Sequence, residues 1–217
     1  MTRSKFYKQN IEPLLSKMSW FEYLLLRKKS ALKRWGWFRS RRESESVDSS
    51  GQAIPWYTYT FLDAFSDRIP ADIRVFEYGS GNSTNWWASR TREVVAVEHH
   101  LGWYERVKGE MRPNVKLLYR ELENGSYAKA IQEDPGLFDL VIVDGRNRVE
   151  CAMACLERLS ERGVIIWDNS ERERYAEGIQ TLKSRGFRQL RFTGFIPIDF
   201  MESETSILYR DGNCFGI

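Results

Sequence analysis

A chain of 217 residues with 42% hydrophobic content can bury one good core with an appended segment, which leaves no room for several large domains. The formal charge of +3 is unevenly placed: residues 1 to 50 hold twelve Lys or Arg against five acids, the remainder twenty-one against twenty-five. A slightly acidic core without a basic stripe excludes nucleic acid as an expected partner. The three cysteines, Cys151, Cys155 and Cys214, are odd in number and include no second pair at metal-ligand spacing. They read as reduced thiols of a cytoplasmic protein rather than as a disulfide framework or a zinc site.

In chain order, MTRSKFYKQN leads into no continuous apolar segment, so no secretory leader is expected. WFEYLLL, at Trp20 to Leu26, is interrupted by Glu22 and stopped by Arg27, far short of the roughly 20 residues that span a bilayer. The whole segment SWFEYLLLRKKSALKRWGWFRSRR is basic and aromatic. At helical spacing Phe21, Leu24, Leu25, Lys28, Leu32 and Trp35 fall broadly on one side, with Arg27, Lys29, Lys33 and Arg34 distributed around it. Two roles are open: contact with an anionic membrane surface, or packing on the catalytic domain or a second subunit as a lid. Packing is the favoured expectation. Arg39 to Gln52, polar and serine-rich, reads as a linker, which divides the chain into an extension over 1 to 50 and a catalytic-size domain over 51 to 217.

The domain opens with IPWYTY, whose Pro55, Trp56, Tyr57 and Tyr59 either lid a ligand or pack on the sheet. Strands are then expected at Ile73–Tyr78, Glu93–Glu98, Val115–Arg120, Phe138–Asp144, Gly163–Asp168, Phe187–Thr193 and Ser206–Arg210. Helical patterns cover Leu101–Met111, Val149–Arg162 and Arg172–Arg185. Near-continuous apolar strands such as DLVIVD and GVIIWD suit a sheet covered on both faces, and helical crossovers make it parallel. The fold class is α/β: a doubly wound, mostly parallel seven-stranded sheet. GFIPIDFMESET has no helical pattern, so the seventh strand returns antiparallel.

Ligands bind such sheets beyond the carboxyl ends of the strands, where VFEYGSGNST falls. Gly79 and Gly81 permit a tight turn, and Asn82, Ser83 or Thr84 can cap the next helix. A dinucleotide fingerprint wants glycine where Thr84 stands, and a P-loop wants a Gly-Lys-Ser/Thr ending that is absent. Glu77 would repel a pyrophosphate but attract an ammonium group. Glu98, at the end of the second strand, is placed to accept hydrogen bonds from two ribose hydroxyls. An adenosine joined to a cationic amino acid describes S-adenosylmethionine.

On EYGSGNS, VVAVEHH, FDLVIVDG and GVIIWDN, in that order at successive strand ends, the chain resembles the class I S-adenosylmethionine-dependent methyltransferases over roughly residues 53 to 210. The resemblance implies that the loop Gly79, Ser80, Gly81, Asn82 and Ser83 wraps the methionine portion, with Glu77 beneath it. It implies that Glu98 holds the ribose and that Glu121 and Leu122 flank the adenine. His99 and His100 border the adenosine, and Asp144 reaches the cofactor. Trp86 and Trp87 are expected in the core.

For catalysis, Asp144, Asp168 and Asn169 converge at the same edge. They look like the Asp, then Asp-Asn, set of the divalent-metal-dependent O-methyltransferases of catechol type, which implies Mg²⁺ lowering the pKa of substrate hydroxyls. A metal-free reading, with Asp144 positioning the acceptor and Asp168 and Asn169 capping a helix, stands beside it and is preferred. Arg146, Arg148, Arg172 and Arg174 rim an anionic-substrate pocket or neutralise the two aspartates. The function expected is methyl transfer, at oxygen, to a small polar molecule. A non-catalytic cofactor-binding scaffold and an NAD-dependent oxidoreductase are the alternatives, the latter disfavoured by Thr84. Homo-oligomerisation is left open.

Overall fold

A computed structural model describes residues 19 to 217. MTRSKFYKQN, and with it the expectation about a leader, lies outside the described residues. Seven strands form one sheet in the order β3-β2-β1-β4-β5-β7-β6. They are β1 (Arg74–Tyr78), β2 (Glu93–Glu98), β3 (Val115–Tyr119), β4 (Phe138–Val143), β5 (Leu159–Asp168), β6 (Arg188–Phe195) and β7 (Glu202–Tyr209). The first five are parallel, and β7 runs antiparallel between β5 and β6. Strand order reverses between β1 and β4, so their carboxyl ends open a crevice.

Period-two side-chain alternation sends each central strand into two cores. Val75, Val94, Ala96, Leu140 and Ile142 enter one; Phe76, Tyr78, Val95, Val97, Val141 and Val143 enter the other. Both faces are covered, which is why these strands read as unbroken apolar runs. The first core takes Trp86 and Trp87 from α5 (Asn82–Ala88) and Tyr57, Tyr59 and Phe61 from the segment entering α4 (Tyr59–Phe65). IPWYTY therefore packs on the sheet, and only Trp56 of its aromatic residues is exposed. The second core is closed by α7 (Ser126–Lys129), α8 (Arg148–Ala154) and α9 (Ala176–Ser184), while α6 (Leu101–Val107) follows β2.

Two boundaries depart from the sequence reading: β7, expected from Ser206, begins at Glu202, and one helix ends early. The helix expected to run to Arg162 ends as a short 3₁₀ turn at Glu157, and β5 begins at Leu159. Leu159 pairs with Phe138 at the start of β4, so tertiary pairing overrides the helical preference of LSER.

The N-terminal segment forms α1 (Ser19–Lys29), α2 (Ala31–Trp35) and α3 (Trp37–Glu43). Of the residues expected on its inner side, Phe21 and Leu32 are buried, Leu25 and Trp35 half-buried, and Leu24 and Lys28 exposed. Trp35 stacks on Tyr59 at 5.3 Å and 7°. The stretch Arg39 to Gln52, expected as a solvated linker, instead carries the end of α3, an isolated bridge between Val47 and Ala53, and buried Ser40, Ser46 and Val47. Its serines are satisfied locally: Ser40 Oγ donates to Val47 O at 2.7 Å and Ser46 Oγ to Pro55 O at 3.2 Å. Serine content signalled solvent, but these hydroxyls cap backbone inside the fold.

Trp37 ties this segment to the domain. It is buried, donates from Nε1 to Asp199 O at 2.8 Å and meets Phe195 and Phe200 edge-on. Trp37→Ala should therefore cost about 3–5 kcal/mol, read as a lower urea midpoint. An unchanged midpoint would show that α3 lies outside the cooperative unit.

Candidate functional site

The ends of β1, β2 and β4 meet around a cleft of about 290 Å³ lined by Glu77, Gly79, Ser80, Ser83, Glu98, His99, Asp144, Gly145, Arg146 and Arg148. Two glycines let the backbones approach there. Gly79 adopts φ +107°, a conformation that L side chains rarely enter. A Cβ on Gly145 would collide with Tyr127 Oη and crowd the Tyr78 carbonyl carbon at 3.1 Å.

Glu77 is 1% exposed, and its carboxyl accepts from the hydroxyls of Ser83 and of Thr84, the latter at 2.6 Å. No basic side chain meets it among the described residues. Burial pushes its pKa up to about 8; the two hydroxyls oppose that rise, and Asp144 and Glu98 add to it. Thr84 also accepts from Gly81 N at 3.0 Å, so Gly81 is the residue that opens α5 and Thr84 closes the turn from within. A dry carboxyl group without a base is a site waiting for a cation.

Glu98 is buried at the end of β2. Its Oε1 accepts from the backbone N–H groups of His99 and His100, both at 2.8 Å, and its Oε2 accepts from Ser80 Oγ at 2.9 Å. One acceptor position on Oε2 remains, and a turn of Ser80 would release another. His99 Nδ1 lies 3.1 Å from Glu98 Oε1 but outside hydrogen-bond alignment, which leaves it a buried nitrogen without a partner at the cleft wall. His100 instead caps α6, accepting from Trp103 N at 3.0 Å, and lines neither cleft. Glu121 and Leu122 also line neither. Glu121 O anchors the α7 turn by accepting from Tyr127 N and Ser126 Oγ, and Leu122 packs on the second core.

A second cleft, of about 660 Å³, shares Ser80, Ser83 and Asp144 with the first. Gly81 and Asn82 lie on its floor side, Trp56, Trp103 and Arg106 on its walls, and Ser44, Glu45 and Ser46 close it from the N-terminal segment. Ile198, from the β6–β7 connection, completes it with a left-handed φ of +70°. Trp103 and the 44–46 stretch were not singled out in the sequence. The signal for Trp103 was its spacing three residues after the capping His100, whereas nothing local marked Ser44 to Ser46.

Arg148 decides what the aspartates can do. Its guanidinium is buried and donates to Gly145 O at 3.0 Å, to Asp144 O at 2.7 Å, to Asp144 Oδ1 at 3.0 Å and to Asp168 O. Asp168 Oδ2 lies 3.9 Å from the same group, while Oδ1 accepts from Thr205 Oγ1 at 2.9 Å. Burial, then repulsion from Asp144, pushes the Asp168 carboxyl well above the usual carboxylate range. Burial raises Asp144 as well, opposed by Arg148. Asn169, at φ +51°, donates its amide to Ser203 Oγ at 3.0 Å. Asp168 and Asn169 thus turn into the β5–β7 layer and line neither cleft; Asp144 alone faces both.

This donor set does not fit Mg²⁺. A guanidinium already sits between the two aspartates, the amide oxygen's partner nitrogen is committed to β7, and no cluster of three metal-ligating acids, histidines or cysteines occurs among the described residues. Of the four arginines, Arg146 is exposed on the first cleft and Arg148 is a structural clamp. Arg172 lies 3.8 Å from Glu171, Arg174 sits over the Tyr175 ring, and neither lines a cleft. The protein is expected to show no saturable Mn²⁺ binding by electron paramagnetic resonance. Saturable binding lost in Asp168→Asn would restore a metal to the site.

No protein-family model matches the chain, and no curated protein matches it. Solved structures do match in shape. The precorrin-6y C5,15-methyltransferase of Geobacter metallireducens superposes with a TM-score of 0.56 at 14% identity, covering 79% of this chain and 96% of that one. An rRNA methylase from Streptococcus thermophilus gives 0.52 at 16%, covering 69% and 93%. The N-methyltransferase NodS of Bradyrhizobium japonicum gives 0.52 at 13%, covering 70% and 93%. Their acceptors differ, so the likeness carries architecture and not substrate. The fold of this chain is that of the class I, Rossmann-like methyltransferases.

Proposed function

We propose that the chain is an S-adenosylmethionine-dependent methyltransferase whose acceptor is a small polar molecule methylated at oxygen. One observation carries this reading: two buried acids, Glu77 and Glu98, stand at the ends of adjacent strands and face one cleft, and among the described residues neither is met by a lysine or arginine. The sheet's likeness to known methyltransferases adds to it. When bound, S-adenosylmethionine supplies an electrophilic methyl group on a sulfonium.

The residues present fit that group. Glu77 would hold the ammonium and Glu98 Oε2 a ribose hydroxyl, with His99 Nδ1 facing the same space. Gly79 and Gly81 keep the loop low enough to admit the ligand. Asp144 stands where the two clefts join and accepts the proton of an acceptor hydroxyl. Its raised pKa makes it a better base than an exposed carboxylate, and Arg148 fixes its direction. Holding the acceptor in line is worth about 7–11 kcal/mol, so most of the enzyme's work is alignment. Arg146, at the rim, suits an anionic group on the acceptor. The acceptor itself would be identified by mass spectrometry of cell extract incubated with labelled methyl donor.

Two binding measurements test the cofactor half. Glu98→Ala should weaken S-adenosylhomocysteine binding by calorimetry, with each lost hydrogen bond to a charged group costing about 1.5–3 kcal/mol. Unchanged affinity would remove Glu98 from the site.

The second concerns protons. At pH 7 Glu77, raised to about 8, is mostly protonated, and an ammonium beside it favours the carboxylate. Binding should therefore release close to one proton at pH 7, and affinity should rise with pH up to about 8 and then fall as the ligand's own ammonium loses its proton. Calorimetry in buffers of different ionisation enthalpy reads the release. The same pH slope in Glu77→Gln would assign the proton elsewhere.

A further inference from the structure

Part of the N-terminal segment faces solvent with the wrong chemistry for a solvated surface. Trp20 is 52% exposed, and Tyr23, Leu24 and Leu26 are exposed beside it on α1. Arg27, Lys28, Lys29 and Lys33 surround them, and none meets a carboxylate among the described residues. Of the acids nearby, Glu22 and Glu202 are exposed, Glu43 is taken by Arg39 and Arg42, and Asp199 accepts from the backbone of Phe200 and Met201.

This surface continues onto a distant part of the chain. The Arg27 guanidinium lies over the rings of Tyr23 and Phe38, at 5.8 and 5.4 Å. Phe38 meets Trp37 edge-on, and Trp37 meets Phe195 and Phe200. Arg41 lies 3.8 Å over the Phe200 ring, which is 59% exposed, and Met201 beyond it is 70% exposed. Trp37 is buried, and over it half-buried Phe38 and exposed Arg41 link the rings, aliphatic tips and guanidinium groups of α1 to those of the β6–β7 connection. Scattered exposed hydrophobics need no explanation, but two linked clusters of them among cations mark an interaction surface.

We propose that α1 and the β6–β7 connection form one face that docks on an anionic lipid bilayer. Aromatic rings settle at headgroup depth, the leucines and Met201 enter the acyl boundary, and each cation near an anionic surface adds attraction. A second copy of the chain is the poorer occupant, because a two-fold contact would set these cations against themselves. Single-stranded nucleic acid would use the rings and cations but not Leu24, Leu26 and Met201. No described helix is long and apolar enough to cross a membrane, so the contact is with the surface. Arg41 also donates from Nη1 to Ile198 O at 2.7 Å, and Ile198 lines the second cleft, so the docking face borders that cleft.

Vesicle flotation tests this with the full chain. Binding is expected to vesicles of phosphatidylcholine mixed equally with phosphatidylglycerol, to be absent with phosphatidylcholine alone, and to fall at high salt. Lys28→Glu with Lys29→Glu, and separately Phe200→Ser with Met201→Ser, should each lower binding roughly tenfold or more. The lysine pair should keep the wild-type melting curve, the Phe200/Met201 pair should melt somewhat lower because Phe200 packs on Trp37, and both should keep S-adenosylhomocysteine affinity, which separates this inference from the proposed activity. No binding of the wild type to anionic vesicles would overturn it. So would undiminished binding by the folded Phe200/Met201 variant, a concentration-dependent dimer that this variant abolishes without any flotation, or binding of an RNA oligonucleotide in place of vesicles.

Discussion

One buried guanidinium organises the edge of the sheet where the clefts open. Taking a guanidinium out of water is costly unless its donors are met, and Arg148 meets them with the carbonyls of Asp144, Gly145 and Asp168 and the carboxylate of Asp144. Those acceptors end two neighbouring strands, so a single side chain fixes where β4 and β5 stop relative to each other. The turn after β4 adapts to it: Asn147 takes φ +48°, which brings Arg148 round to begin α8 and point back beneath the strand ends. Asp144 is left facing the clefts and Asp168 is left facing Thr205. A divalent ion would need the space and charge that this arginine already supplies.

Glu77 solves the opposite problem. It is as dry as Arg148, yet the fold gives it two hydroxyls and no base, and its carboxyl retains a proton near neutrality. Structural ion pairs elsewhere in the chain are closed: Arg74 sits between Glu93 and Asp134, for example. An acid kept open at a strand end lowers the stability of the folded protein as pH rises from 4.5 to about 8, since the unfolded chain releases that proton more readily. Binding a cation there recovers the loss. The same arrangement makes the apo site poorly suited to phosphates, whichever way the glycine loop turns.

Most of the sheet was legible because its central strands are buried on both faces and read as short, nearly unbroken apolar runs. VVAVE and DLVIVD could be nothing else at that length. The residues drawn together around the glycine loop, from Glu77 to Glu98 and Asp144, were legible as strand ends in one order, and they do line a common cleft. What was not legible depended on distant partners. Arg148 read as one of four arginines that either rim a pocket or neutralise the two aspartates, and nothing in RNRVE singles it out for the second role or reveals three carbonyls waiting beneath it. Asp168 and Asn169 sit in a motif that elsewhere holds metal, and only the arrival of β7, with Thr205 and Ser203, turns them away. Ser40 and Ser46 read as linker residues because a hydroxyl that caps buried backbone has the same composition as one in water.

Ile198 shows how such a site can change. A β-branched residue at φ +70° is an outlier whose strain is of order 1–3 kcal/mol, and Trp37 and Arg41 hold its connection by the carbonyls of Asp199 and Ile198. Its side chain contributes to the wall of the larger cleft without belonging to either core. Glycine or asparagine there would relax the backbone and widen the wall at once. At most positions a wider cleft is opposed by a loss of stability; at this one the two gains run in the same direction, which makes the loop the place where the cleft can most easily widen.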